Sequence, residues 1–241
     1  RVLFRSAADY CKWAGISVVC VEGVEADDAM ASIAVWAKKQ GAEVFLCSSD
    51  KDLMQLVDER IFMLHAHKDN LLIDAKKVEE LYGVRPEQML DLLAIMGDSS
   101  DNIPGLEGFG PKTAAALLQE FGTLDNILSH PEKVKGEKKQ QILRTQREVA
   151  LMSRKLATLD LKVDVPHRED FYQLKEPNRE KLIDFYHEMQ FNSLLRELGA
   201  TAHPQPKQGK RHTEKHHYQL VDSEQGLIDL FQHLNQQKEV C

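Results

Sequence analysis

Two short apolar runs flank an amphipathic segment early in this chain, and each run ends in a cluster of carboxylates. The runs are "SVVCVE" (17–22) and "EVFLCS" (43–48), both of buried-strand length. Between them, "ADDAMASIAVWAKKQG" has apolar residues at helical spacing. Lysines in its last turn and Gly41 just beyond are helix stop signals. A strand–helix–strand unit of this kind predicts a parallel sheet with a right-handed crossover. "RIFMLH" (Arg60 to His65) and "NLLI" (Asn70 to Ile73) read as further strands. Ligands and reacting groups collect at the carboxyl ends of strands in open α/β sheets. "GVEADD" and "SSDKD" fall at those ends.

From Asp74 onward the periodicity turns helical. "DAKKVEELYG" opens on an N-cap and closes on Gly83, and "RPEQMLDLLAIMG" places Pro86 at a first helical position and closes on Gly97. The turn-rich loop "GDSSDNIPGLEGFG" feeds another helix at Pro111. "LDNILSH", "KKQQILRTQREVALMSRKLATL" and "NREKLIDFYHEMQFNSLLRELG" are the helices that follow. The expected fold class is α/β, a parallel-sheet core followed by an α-helical subdomain. Residues 200–217, with two prolines and almost no apolar side chains, read as a solvated linker, although the His-rich composition also suits metal binding. From Tyr218 a new strand–helix pattern starts, with Ser223 as its N-cap.

The chain carries 31 basic and 38 acidic residues, a net charge of −7. That balance alone argues against a nucleic-acid partner. The charge is unevenly placed, however: the carboxylates cluster, while "KVKGEKKQQILRTQR" (Lys133 to Arg147) is strongly basic. An acidic site beside a basic surface suits a metal-dependent enzyme acting on a polyphosphate. No apolar stretch approaches bilayer-spanning length. Cys11, Cys20, Cys47 and Cys241 form no CxxC pair, which fits a reducing cytosol better than a disulfide framework.

Three acidic clusters are the candidate site: Glu25, Asp27 and Asp28; Asp50 and Asp52; Asp98 and Asp101. Each has a local explanation. Asp27, Asp28 and Asp50 suit helix starts, and Asp98 and Asp101 suit Asx turns. Caps account for one carboxylate per helix start, not two or three. Carboxylates crowded in a low-dielectric cleft raise one another's pKa unless a cation balances them. Mg²⁺ and Mn²⁺ take all-oxygen ligands. The set is larger than one octahedral ion needs and suits two ions about 3.5–4 Å apart, clamping the attacking and leaving oxygens of a phosphoryl group. No Ser, Cys or His nucleophile is then required. Lys51, between Asp50 and Asp52, is read as a solvated side chain that could also reach a phosphate.

"GLEGFGPKTA" (Gly105 to Ala114) is a glycine-rich turn leading into a helix, with Pro111 at its first position and Lys112 and Thr113 behind. It matches neither a P-loop nor a dinucleotide fingerprint, because the GxxxxGK[ST] pattern and a preceding apolar strand are missing. A helix–hairpin–helix element that grips a backbone phosphate without reading bases fits better. A tight interhelical turn is the plainer alternative.

Together "GVEADD", "SSDKDLMQLV", "LLAIMGDSSDNIPG" and "GFGPKTAAALL", in this order and spacing, closely resemble the 5′-nuclease domains of bacterial DNA polymerase I, a branch of the flap endonuclease family. The match runs from about Ala7 to Gly199, with Ser49 standing where many relatives carry Gly. The resemblance implies a PIN-like core over 1–83 and a helix–two-turn–helix DNA-binding subdomain over 84–199. The linker over 200–217 would then lead, at 218–241, into the start of a 3′-5′ exonuclease-like domain. It implies hydrolysis of 5′ ends or flaps by two Mg²⁺ or Mn²⁺ ions held by Glu25, Asp27, Asp28, Asp50, Asp52, Asp98 and Asp101. Asp27, Asp50 and Asp98 take the catalytic roles. Gly105, Gly108, Gly110, Lys112 and Thr113 would hold duplex DNA, with K⁺ at the loop. The expected partner is DNA with a 5′ flap, nick or duplex junction, engaged by a monomer in the bacterial cytoplasm and away from any membrane. The family's first strand and most of its helical arch would lie upstream of Arg1, so the chain is expected to be a fragment of low or no activity. A stand-alone 5′-nuclease, a non-catalytic duplex-binding module and a PIN-type ribonuclease are the competing expectations.

Overall fold

The computed structural model describes residues 2–199 and Ser223, so the expected linker (200–217) and tail (218–241) lie outside the described residues except for that serine. The chain divides into two units, Arg1–Glu176 and Pro177–Cys241.

The first unit opens with α1 (Val2–Trp13). The next helix, α2 (Ala26–Lys39), carries acidic side chains in its first turn and lysines in its last, complementing the helix dipole at both ends. The strands are β1 (Val44–Leu46), β2 (Ile61–His65) and β3 (Leu71–Ile73). Their order is β1-β2-β3. The β1–β2 pair is parallel, with Val44 opposite Ile61, and the β2–β3 pair is antiparallel, with Met63 opposite Ile73. The sheet is therefore mixed: a short turn with Asp69 and Asn70 at positive φ reverses the chain, where a parallel neighbour would need a crossover. Strand alternation puts Leu46, Ile61, Met63 and Ile73 into the core, while Phe45 and Leu72 face outward.

The run 17–22, expected as a strand, has no regular secondary structure, enters a turn at Glu22 and pairs with no strand among the described residues. Ile16 and Val18 are exposed, and Ser17 donates its hydroxyl to the Phe171 carbonyl instead of joining a ladder. β-branched composition made that segment look like a strand, but a strand also needs a neighbour.

The helical part begins with α3 (Ala75–Tyr82), capped by the Asp74 side chain, which accepts from Lys77 N–H, and closed by left-handed Gly83. Pro86–Gln88 forms a 3₁₀ turn before α4 (Met89–Met96). Leu92, Leu93, Ala94 and Ile95 are all fully buried, so α4 is apolar on every side and packs centrally. Packed against it are α5 (Pro111–Phe121), α6 (Leu124–Ser129) and α8 (Arg147–Leu156); α7 (Glu137–Thr145) packs against α6 and α8, and the short α9 (Glu169–Tyr172) follows. The stretch expected as one helix from Lys138 breaks at Gln146, whose side-chain oxygen accepts from Glu107 N–H at 3.1 Å. The described part of the second unit is α10 (Arg179–Glu188) and α11 (Asn192–Glu197), separated by Gln190 at φ +57°. Among the described residues, no helix is long and apolar enough to cross a membrane.

Candidate metal centre

Two chain segments bring the central carboxylates together. The turn after β1 carries Asp50 and Asp52, the latter opening a 3₁₀ turn (Asp52–Leu56) that packs against α4 through buried Leu53 and Met54. The carboxyl end of α4 delivers the second pair. Gly97 turns the chain at φ +74°, and Asp98 and Ile103 then exchange both backbone hydrogen bonds, at 2.9 and 2.7 Å, closing a loop that holds Asp101. One oxygen from each of Asp52, Asp98 and Asp101 lies within 4.8 Å of the others.

Of the local roles expected, the Asx turn at Asp98 is present, while the 3₁₀ turn after Lys51 has no side-chain cap hydrogen bond from Asp50, and atoms are left to spare. Asp50 Oδ1 accepts from Asp52 N–H at 3.0 Å. Asp98 Oδ1 accepts from Ser100 N–H at 2.9 Å, an Asx turn. Asp98 Oδ2 is 2.6 Å from Lys51 Nζ. Asp52 Oδ1 is buried and has no hydrogen-bond partner. A buried carboxylate oxygen without a donor is costly. Its position among other carboxylate oxygens suits a cation, so the donor set fits Mg²⁺ or Mn²⁺.

The electrostatics point the same way. Burial, reinforced by the negative charges of Asp50, Asp101 and Asp98, pushes the Asp52 carboxyl up to about 7. Burial also acts upward on Asp98, but the ammonium of Lys51 and the Ser100 N–H outweigh it and hold Asp98 below the usual range. Asp101 is raised, first by burial and then by the neighbouring Asp98. Burial works against the Lys51 charge, but the hydrogen bond to Asp98 and the surrounding aspartates raise its pKa. Lys51 is one positive charge against four carboxylates, and a divalent cation would supply the balance.

Glu25, Asp27 and Asp28 stand at the start of α2 and do not belong to the cluster. Asp27 Oδ1 accepts from Asp28 N–H at 2.9 Å, and Asp28 Oδ1 accepts from Asp160 N–H at 2.7 Å. Asp27 thus bonds its neighbour's backbone and Asp28 the irregular segment after α8, while α2 has no side-chain cap hydrogen bond. Of the seven expected ligands, the structure gathers three, with Asp50 one hydrogen bond away.

The glycine loop lies directly after the acidic loop. Gly105 has φ +63°, and a Cβ placed there would sit 2.3 Å from Gly97 N. Its own N–H is donated to Ser153 Oγ at 3.1 Å. Gly105 is therefore engaged in packing. Gly108 at φ +74° faces open space, and Gly110 is the extended N-cap of α5. Pro111, Lys112 and Thr113 form the first turn of that helix, where the Lys112 and Thr113 N–H groups have no acceptor within the helix and can meet an anion. Sequence reasoning missed Ser153, which no motif marks, and read Lys51 as solvated, although its position between two aspartates was a signal for an ion pair.

Two family models match the chain: the 5′-3′ exonuclease N-terminal resolvase-like domain over residues 3–83, and the 5′-3′ exonuclease C-terminal SAM fold over residues 84–180. A thermostable DNA polymerase I of Thermus thermophilus is 40% identical over 192 residues, 80% of this chain and 22% of that protein. A 5′-3′ exonuclease of Aquifex aeolicus is 36% identical over 187 residues, 78% of this chain and 63% of that one. Among solved structures, a T5 5′-exonuclease with bound divalent metal ions (zinc) superposes with a TM-score of 0.53 at 31% identity, covering 58% of this chain and 52% of the other. The chain thus spans about a fifth of the polymerases it matches.

Proposed function

The chain belongs to the 5′-3′ exonuclease family, and from that premise we propose that it is the 5′-nuclease portion of a DNA polymerase I, hydrolysing DNA phosphodiesters at 5′ ends and flaps. The observation that carries this reading is the convergence of Asp52, Asp98 and Asp101 around the orphaned, buried Asp52 Oδ1. These three side chains would hold a divalent cation, with Asp50 orienting Asp52. Such a cation supplies a Lewis acid and lowers the pKa of bound water. Glu25, Asp27 and Asp28 would serve a second ion. Mg²⁺ is the expected metal, with Mn²⁺ able to replace it, because all donors are carboxylates.

The chain's own residues do the rest. Lys51 balances Asp98 and is within reach of a phosphate next to it. The α5 amino end, with Gly108, Gly110, Lys112 and Thr113, would hold the duplex backbone, and K⁺ at the loop would add positive charge there. Gly105 fixes the two loops in register. The proposed setting is a monomer in the bacterial cytoplasm, acting on nicked or flapped duplex DNA. A stand-alone nuclease is the alternative for the whole protein, given the match to the Aquifex enzyme.

The test pairs two readouts. Mn²⁺ binding, followed by electron paramagnetic resonance, should be present and lost in Asp98→Asn. A 5′-flap duplex should bind, and should be preferred over single-stranded RNA. Failure to bind Mn²⁺ would overturn the metal site, and a preference for RNA would overturn the DNA assignment.

A further inference from the structure

A second strongly charged feature lies beside the glycine loop. A groove of ≈ 300 Å³ is walled on one side by Glu107, Gly108 and Phe109 and on the other by Lys135, Gly136, Lys138 and Lys139, with Ile142 completing the lining. We propose that this groove seats a further backbone phosphate of duplex DNA, adjoining the one at the α5 amino end. The proposal rests on the duplex-DNA reading above and extends it to α7, which that reading leaves unused.

Three observations carry it. None of Lys135, Lys138 and Lys139 has an ion pair or hydrogen bond to its ammonium among the described residues. Three cations thus face one carboxylate, Glu107, around a single groove. Like charges kept together without partners cost stability, so an anionic occupant gains by entering. Next, both walls present backbone at its most open. Gly108 (φ +74°) and Gly136 (φ +101°) would each carry a Cβ into empty space. Gly136 caps α7, a nine-residue helix whose first N–H groups have no acceptor within the helix. Finally, the groove offers a base nothing to stack on, because Phe109 is only 3% exposed. Single-strand binding relies on exposed aromatic platforms. Lysine ammoniums act as point charges and lack the planar fork that reads guanine. What remains is contact with the backbone, independent of sequence.

The glycine loop is also fixed to α7: Gln146, at the carboxyl end of that helix, accepts from Glu107 N–H at 3.1 Å. A duplex backbone lying across the α5 amino end would meet the lysine wall next. An acidic polypeptide is the rival occupant, and the test separates the two.

The experiment uses the 241-residue chain in EDTA, so that no cleavage occurs, with a fluorescent 5′-flap duplex titrated over a series of KCl concentrations. The variants are Lys138→Gln, Lys139→Gln, the triple change with Lys135→Gln, the corresponding triple Arg variant, Lys112→Gln, and Lys155→Gln on the outer face of α8. Each lost phosphate contact should lower the slope of log Kobs against log[salt] by about 0.9. The triple Gln variant is expected to lose a slope of about 0.9 and bind about tenfold more weakly, the triple Arg variant to keep both, and Lys155→Gln to match the wild type. If the triple Gln variant keeps the wild-type slope while Lys112→Gln loses its contact, the α7 site falls and the duplex reading stands. If the wild type binds no duplex, both fall. Binding of a poly-glutamate peptide with the same lysine dependence, and tighter than DNA, would also overturn the proposal. These lysines are surface groups, so unchanged circular dichroism melts should accompany every variant.

Discussion

Lys51 Nζ lies 2.6 Å from Asp98 Oδ2, a carboxylate only 3% exposed, so the acidic cluster holds a tethered cation of its own. The pair joins the turn after β1 to the carboxyl end of α4, the two segments that make the site. A lysine and a divalent cation cannot both take the same oxygen at full strength. Lys51 is therefore a competitor for the metal as well as a counter-charge.

That competition can be measured. Lys51→Met removes the charge and leaves Asp98 buried without it, which costs about 1–3 kcal/mol by the usual price of an unsatisfied buried group. In EDTA the variant should melt lower than the wild type. Saturating Mn²⁺ should close most of that gap, since the ion replaces the ammonium, and the variant should bind Mn²⁺ more tightly. An equal drop in melting temperature with and without Mn²⁺ would show that Lys51 contributes only packing.

Asp52 should respond in the opposite sense. Burial and neighbouring aspartates hold its carboxyl up to about 7, so at about pH 8 the ionised side chain is kept at a cost. Asp52→Asn keeps the shape and removes the charge. In EDTA the variant should be more stable than the wild type, and its Mn²⁺ affinity should fall by at least tenfold. Sites that bind ions commonly trade stability for function in this way. A destabilised variant with unchanged Mn²⁺ binding would mean that Asp52 is a structural acid.

Much of this was legible in the sequence because short-range chemistry decided it. Asp74 and Gly83 bound α3, Gly97 ends α4, and Pro111 opens α5, each through a local cap or a φ constraint. The pairing of Asp50 and Asp52 with Asp98 and Asp101 was legible from clustering. What the sequence hid was decided by partners distant along the chain. The 17–22 run has strand composition but no ladder among the described residues, and Asp28 is taken up by the Asp160 N–H, which lies 132 residues away. Gly105 looked like an anion-binding glycine, yet Gly97 and Ser153 claim its space and its N–H.

Gly105 therefore gives a third prediction. An added methyl group would meet Gly97 N at 2.3 Å and Gly97 Cα at 2.6 Å, and the residue would have to keep φ +63°. Both neighbours are backbone and cannot rotate away. Gly105→Ala should destabilise the protein by about 2 kcal/mol or more, and should weaken Mn²⁺ binding because Gly97 precedes Asp98. Gly108→Ala meets no atoms and pays only for its positive φ, about 1 kcal/mol. It should leave Mn²⁺ binding unchanged. Equal metal affinities in both variants would separate the two loops and remove the register role assigned to Gly105.

Asp58 sets the pH dependence away from the metal centre. It precedes β2 and accepts hydrogen bonds from Arg60 N–H at 2.8 Å, Ile61 N–H at 3.0 Å and the Lys38 ammonium. Burial acts to raise its pKa, but the Lys38 hydrogen bond and the two backbone donors outweigh it, so the folded value lies below the ordinary 3.8. A carboxyl with a depressed folded pKa stabilises the fold above its unfolded value and loses that contribution as pH falls through the folded one. Asp58→Asn should thus melt lower than the wild type at neutral pH, and the gap should close as the pH drops below 3.8. Salt should narrow the neutral-pH gap only in part, because screening weakens the Lys38 attraction far more than the hydrogen bonds to the turn. A gap that stays constant through the acid range would assign the loss to the shape of the turn and not to the charge on Asp58.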